Sequence, residues 1–216
     1  MRLLIEGDSY GLPRMDWRKE SVALSYDETY PEILRRLLLD RLNEDIVLVN
    51  HCRHANTTHS LETDEMDVFR FTWPDFAVVQ LGMGDLWPAK RRKVLPLQPE
   101  LGSRDPWVDE AAYGRNLAVF CSRAEEAGCC VVVVDIPPVG PRWEQKYPEL
   151  AGRIVGYNRP AAKVTDGRDN ATFLDWHAMV EERGRHGMIG EDGIHPTVSA
   201  SRKLAEALAA KIYGYL

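Results

Sequence analysis

The chain has 216 residues, 44% of them hydrophobic, with 27 Lys and Arg against 33 Asp and Glu for a formal charge of −6. That length can bury a sizeable core without a second unit, so residues 1–216 read as a single domain, and the acidic balance leaves no overall basic footprint for nucleic acid. No run reaches the roughly 20 apolar residues that span a bilayer.

The N-terminus carries one charge, and Glu6 and Asp8 interrupt the first apolar run, so no secretory signal is expected and a cytoplasmic setting is. Four cysteines, Cys52, Cys121, Cys129 and Cys130, show no spaced disulfide framework and suit reduced core thiols.

In chain order, residues 3–5 (Leu-Leu-Ile) form a short apolar run that leads into Gly7-Asp8-Ser9-Tyr10. Tyr30–Leu42 follows as a helix, with Ile33, Leu34, Leu37, Leu38 and Leu42 at helical spacing. Further apolar runs lie at 46–49, 76–81, 131–136 and 172–174, and further helices at 110–127 and Val198–Tyr213. The runs are continuously apolar rather than alternating, which is expected of parallel strands covered on both faces. Five strands with intervening helices predict a three-layer α/β/α sandwich around a parallel sheet.

Ser9 follows the first strand, and Asp192-Gly193-Ile194-His195-Pro196 precedes the last helix. A serine hydroxyl is a poor nucleophile at neutral pH unless a base takes its proton and a third group fixes the base. His195 and Asp192 can fill those two roles: the glycine-containing turn can point both side chains one way, and Pro196 stiffens its exit. Gly7 is expected to allow a sharp turn after the strand, and a helix or turn starting near Ser9 would aim N–H groups at a developing oxyanion.

Gly7-Asp8-Ser9, the mid-chain block Gly82-Met83-Gly84-Asp85 and Asp192-x-x-His195 together resemble the SGNH, or GDSL-type, esterase and acylhydrolase family, in the right order over nearly the whole chain. The resemblance implies the flavodoxin-like strand order 2-1-3-4-5, with Ser9 as nucleophile, His195 as general base and Asp192 as its partner. It also implies an oxyanion hole built from the N–H of Ser9 and that of the residue aligned with a family glycine, here Ala55. The family's third donor is an Asn side chain, and Gly84 stands in its place. Losing one such donor costs about 100- to 1,000-fold in turnover, or about 2.7–4 kcal/mol. Asn56, beside Ala55, is the candidate to compensate, with capping of a helix near Thr57 as its alternative role. Asp85 is expected to organise loop hydrogen bonds.

Substrate selection is expected in three longer segments: 86–107 with Trp87, 137–157 with Trp143 and Tyr147, and 11–24 with Trp17. Asp8, Gly82, Gly84, Asp85 and Trp87 are the supporting or substrate-facing positions. Lys90-Arg91-Arg92-Lys93 reads as a solvated charge run that could also attract an acidic substrate. His51, His54 and His59 lie close in sequence but lack a recognised metal spacing, so no metal or other cofactor is expected; packing or substrate contact suits them better, and His177 and His186 read as structural or solvated.

The expected activity is hydrolysis of a small ester, an O-acetylated sugar or a biosynthetic intermediate, through an acyl-enzyme. An acyltransferase using the same site, and a binding or scaffold protein weakened by Gly84, are the alternatives. A small-molecule or carbohydrate ester is the expected partner, with neither nucleic acid nor membrane, and a homo-oligomer is left open.

Overall fold

Leu3, Leu4 and Ile5 have no solvent exposure because β1 (Arg2–Gly7) runs inside the sheet with a strand on either side. The computed structural model describes residues 1–16, 21–63, 66–88 and 105–216. A short antiparallel hairpin, β2 (Arg14–Asp16) with β3 (Ser21–Leu24), stands apart from the main sheet. The sheet itself is completed by β4 (Val47–Asn50), β5 (Phe76–Gln80), β6 (Cys130–Val134) and β7 (Ala171–Leu174). Its order is β4-β1-β5-β6-β7 with every neighbouring pair parallel. Counted along the chain, the sheet strands therefore lie 2-1-3-4-5, the order that the family resemblance implies.

Ten α-helical segments connect and cover these strands among the described residues: α1 (Tyr30–Leu42), α2 (His59–Thr63), α3 (Met66–Thr72), α4 (Met83–Leu86), α5 (Glu110–Glu126), α6 (Pro141–Lys146), α7 (Leu150–Lys163), α8 (Trp176–Arg183), α9 (Arg185–Met188) and α10 (Val198–Tyr213). The sequence pattern foretold α1, α5 and α10, which carry long apolar stripes. The short helices escaped it because one or two turns hold too few apolar positions to define a period, whereas the 14-residue α7 escaped it although long, its sequence being broken by Gly152, Gly156 and Pro160.

Successive strand residues point to opposite faces, and the core divides accordingly. Leu4, Ala77, Val79, Val131 and Val133 pack with Leu117, Phe120 and Ala124 of α5 and Ile154 and Tyr157 of α7. Leu3, Ile5, Val78, Val132 and Val134 pack with Leu34 and Leu38 of α1 and Leu204, Leu208 and Ile212 of α10. Full burial of each such aliphatic side chain stabilises the fold by about 1.5–3 kcal/mol. Where α5 meets α7, a β-carbon on Gly114 would come within 2.9 Å of Pro160 Cβ, so the close approach of the two helices requires glycine there. The two longest helices, α5 and α10, begin at side-chain caps: Asp109 accepts from the Ala112 N–H at 2.7 Å, and Thr197 accepts from the Ala200 N–H at 3.1 Å.

Cys52, Cys121 and Cys129 are buried, Cys130 is half-buried, and all four are free thiols. Among the described residues, no helix is long and apolar enough to cross a membrane. The chain leaves β1, β4 and β5 at one rim of the sheet, the carboxyl ends at which open parallel sheets place their ligand crevices.

Candidate active site

Beyond β1 the chain makes a single helical turn, Ser9–Gly11, capped by Asp8, whose carboxylate accepts from the Tyr10 N–H at 2.9 Å. The Asp8 N–H donates to the Gln80 carbonyl at 3.2 Å, tying this turn to the end of β5. Ser9 thus opens a turn whose first N–H groups have no partner within it. Gly7 and Gly11 serve this turn by allowing close approach rather than by a left-handed backbone. A β-carbon on Gly7 would lie 2.6 Å from the Cys52 sulfur, and one on Gly11 would lie 2.3 Å from it. Burial pushes the Asp8 carboxyl up to about 6, against the lowering effects of the Tyr10 N–H, the nearby His195 and Gln80.

The structure brings Ser9, His195 and Asp192 together. Ser9 Oγ is 2.7 Å from His195 Nε2, across 186 positions of sequence, and His195 Nδ1 is 2.6 Å from Asp192 Oδ2. A carboxylate can only accept, so the Nδ1 proton points at Asp192 and Nε2 is left to accept from the serine hydroxyl. The other Asp192 oxygen accepts the N–H groups of Ile194 and His195, each at 2.9 Å, which locks the carboxylate inside its own turn. Although burial acts to raise it, the hydrogen bond and charge of His195 and these two N–H groups hold the Asp192 carboxyl well below the usual carboxylate range.

Every backbone carbonyl from Asp192 to Pro196 is engaged. The Asp192 carbonyl accepts from Trp143 Nε1 at 2.8 Å and from the Arg142 guanidinium, Gly193 from the Gly140 N–H at 2.7 Å, and Ile194 from the Tyr10 hydroxyl. The His195 carbonyl accepts from the Gly190 N–H at 2.7 Å, and Pro196 accepts from Arg14 at 2.6 Å. Tyr10, one residue beyond Ser9, also sets its ring 5.9 Å from that of His195. Sequence reasoning missed this brace, since its donors lie far apart in the chain and belong to no shared motif.

Ala55 follows β4 with a φ of +55°, the left-handed region that favours glycine. Asn56 is not among the residues that line the cavity beside Ser9; its amide nitrogen donates to the Gly7 carbonyl at 3.2 Å and its oxygen accepts from the Thr57 N–H at 3.0 Å. It does not cap a helix: α2 begins at His59, and the Thr57 and Thr58 carbonyls accept from the N–H groups of Ser60 and Leu61.

Gly82 has a φ of +131°, and a β-carbon there would come within 2.4 Å of Ile136, so both backbone and space require glycine. Asp85 is fully buried and ties α4 to the segment before α2: its carboxylate accepts from the Thr58 N–H at 3.0 Å and from the Thr58 hydroxyl at 2.5 Å. Asn116 of α5 in turn donates to the Thr58 hydroxyl at 3.1 Å.

An open cavity of about 330 Å³ lies against Ser9 and His195. Asp8, His54, Ala55, Met83, Gly84, Trp87 and Ile194 complete its lining. Trp87 meets the rings of Trp143 and Tyr147 edge-on at 5.4 and 6.3 Å, so 137–157 supports the cavity wall through Trp87. Trp17 and the Lys90–Lys93 cluster fall outside the described residues, as does most of the 86–107 segment.

His51 lies 3.4 Å from the buried Glu6 carboxylate, while His177 Nδ1 lies 3.1 Å from the Ile136 carbonyl. Among the described residues, no group of three His, Cys, Asp or Glu side chains gathers into a set that could hold a metal ion.

Comparison with solved structures finds the same fold at low identity. LAE5, an alpha/beta hydrolase enzyme from the metagenome of Lake Arreo, Spain, matches with a TM-score of 0.74 and 20% identity over 100% of this chain and 96% of that one. TesA matches at 0.69 and 21% over 100% of both chains. Axe2, an acetylxylan esterase from Geobacillus stearothermophilus, matches at 0.70 and 20% over 98% of this chain and 93% of that one. A search of curated protein sequences gives no match. Residues 7–203 match the model of the GDSL-like lipase/acylhydrolase family. With the match spanning nearly all of the chain, from the Ser9 turn through the His195 loop, the protein belongs to that family of SGNH-type serine hydrolases acting on ester bonds.

Proposed function

We propose that the protein hydrolyses small esters by acyl transfer to Ser9. The observation that carries this reading is the continuous hydrogen-bonded line from Ser9 Oγ through the His195 ring to Asp192, at 2.7 and 2.6 Å. In acylation, Ser9 Oγ forms a bond to the ester carbonyl carbon while its proton passes to His195 Nε2. Asp192 stabilises the imidazolium that results. The tetrahedral oxyanion is held by the N–H groups of Ser9 and Ala55. It then collapses, the carbon–alkoxide bond breaks, and His195 gives its proton to the leaving alcohol. Water deacylates the enzyme by the same path: its proton goes to His195, its oxygen bonds to the acyl carbon, and Ser9 is reprotonated as the acid departs. Side chains supply the nucleophile, base and orienting group.

A cavity of about 330 Å³ with Met83, Trp87 and Ile194 on its walls suits a short acyl group such as acetyl. Its open mouth leaves room for an alcohol portion of sugar size. The likeness to an acetylxylan esterase adds support for an O-acetylated carbohydrate as substrate class.

Fluorophosphonate labelling together with acetate release from p-nitrophenyl acetate and from acetylated oligosaccharides tests the reading. Labelling and turnover that both vanish in Ser9→Ala are expected. Turnover persisting in Ser9→Ala would remove the nucleophile, and acyl transfer to added alcohols in preference to water would make the enzyme an acyltransferase.

A further inference from the structure

We infer that His54 is the third oxyanion donor, its ring N–H standing in for the side-chain amide that Gly84 cannot offer. The inference rests on Ser9 being the nucleophile.

His54, Ala55 and Gly84 line the same cavity as Ser9 and His195. Of the other side chains there, Met83 and Ile194 carry no polar hydrogen, and an ionised Asp8 can only accept. His195 has one nitrogen on Ser9 and the other on Asp192. Trp87 is 7% exposed and packed edge-on against two further aromatic rings. His54 differs from all of these. It is solvent-exposed and lines the cavity, and its ring has no hydrogen-bond partner among the described residues.

Chemistry and chain geometry agree with the role. A neutral imidazole always keeps one N–H and an imidazolium has two, so His54 can donate at any working pH. It directly precedes Ala55, so a single turn at the end of β4 carries a backbone donor and a side-chain donor side by side. When the ester carbonyl accepts the bond from Ser9 and its π electrons move to oxygen, the His54 N–H donates a hydrogen bond to that oxygen without transferring its proton. A donor that engages only the developed charge lowers the barrier more than it tightens ground-state binding.

The test compares His54→Ala, His54→Gln and the double variant His54→Ala with Gly84→Asn, using p-nitrophenyl acetate turnover and the rate of fluorophosphonate labelling. His54→Ala is expected to lower kcat by roughly 100-fold while KM moves by less than about threefold, with labelling slowed in parallel. Gln retains an N–H donor and should recover part of the loss, and Asn at position 84 should restore turnover in the Ala background. Gly84 lies in α4 outside the left-handed region, so the backbone admits the change.

A wild-type level of kcat in His54→Ala, or a loss confined to KM, overturns the inference. Failure of the double variant to fold leaves the Ala and Gln pair to decide it, with equal losses in both overturning the donor role. Absence of Ser9-dependent labelling in the unaltered protein would instead sink the nucleophile reading, so the two failures remain distinct.

Discussion

A β-carbon on Gly140 would fall 2.9 Å from the Cα of Gly193, and the Gly140 N–H donates to the Gly193 carbonyl at 2.7 Å. Backbone here sits directly on backbone, and neither side can give way as a flexible side chain would. The turn that carries Asp192 and His195 is therefore seated on the segment leading into α6. Gly140→Ala should push that turn off its seat, cutting kcat/KM by at least about 10-fold and destabilising the fold by about 1–3 kcal/mol. Steady-state kinetics and urea unfolding measure both effects. Unchanged kinetics would mean that the seat does not set the position of His195.

Asp192→Asn separates the two duties of the carboxylate. Asn can keep an oxygen on the Ile194 and His195 N–H groups, but its NH₂ then faces His195 Nδ1, which must accept rather than donate. The tautomer reverses, and Nε2 no longer accepts the serine proton. A loss of about 10³- to 10⁴-fold in kcat is expected with little change in thermal stability. A loss below about tenfold would show that Asp192 does not fix the tautomer.

Asp135 supplies a pH dependence of stability. It is 2% exposed, and burial pushes its carboxyl from 3.8 up to about 8, with the His177 N–H acting to lower it and the nearby Asp175 acting to raise it. Between those two values the unfolded chain has released this proton and the folded chain retains it. The folded state binds more protons there, so the contribution of this group is fully present below pH 3.8 and is lost as pH rises through about 8. Asp135→Asn mimics the neutral acid and keeps an acceptor for the His177 N–H at 2.8 Å. The fall in urea midpoint between pH 5 and pH 9 should shrink in the variant by at least about 1 kcal/mol equivalent. Identical pH profiles would show that Asp135 is already ionised in the folded state at pH 5.

Ala55 carries a left-handed backbone that its β-carbon disfavours by roughly 1–2 kcal/mol, partly offset by the greater freedom glycine has when unfolded. Ala55→Gly should raise stability by about 0.5–1 kcal/mol and leave turnover within about twofold, because the N–H is unchanged. Thermal unfolding and p-nitrophenyl acetate kinetics check this. A large loss of turnover would mean that the alanine methyl itself holds the donor in place.

Much of this protein is legible in the order of its residues. Apolarity at residues 3–5 and 76–81, broken only at Gln80, marks strands covered on both faces, and the stripes of α1, α5 and α10 declare their buried sides. Gly7-Asp8-Ser9 and Asp192-x-x-His195 carry the family resemblance because their chemistry is compressed into a few adjacent positions. The same local reading missed α3, α4 and α6 to α9, and it credited Gly7 only with easing the turn after β1, without foreseeing the close approach of the Cys52 sulfur.

What the sequence alone determined is therefore the set of local commitments: which runs are strands, which helices have an apolar face, and which side chains are candidates for nucleophile, base and orienting carboxylate. Only the tertiary structure decided that Ser9 lies 2.7 Å from a histidine 186 positions away, and that the Asp192 turn is held through Tyr10, Arg14, Gly140 and Trp143. Those contacts join segments that share no periodicity or spacing. They arise because the parallel sheet delivers its loops to one rim, where backbone carbonyls removed from water must find donors from whichever segments arrive there.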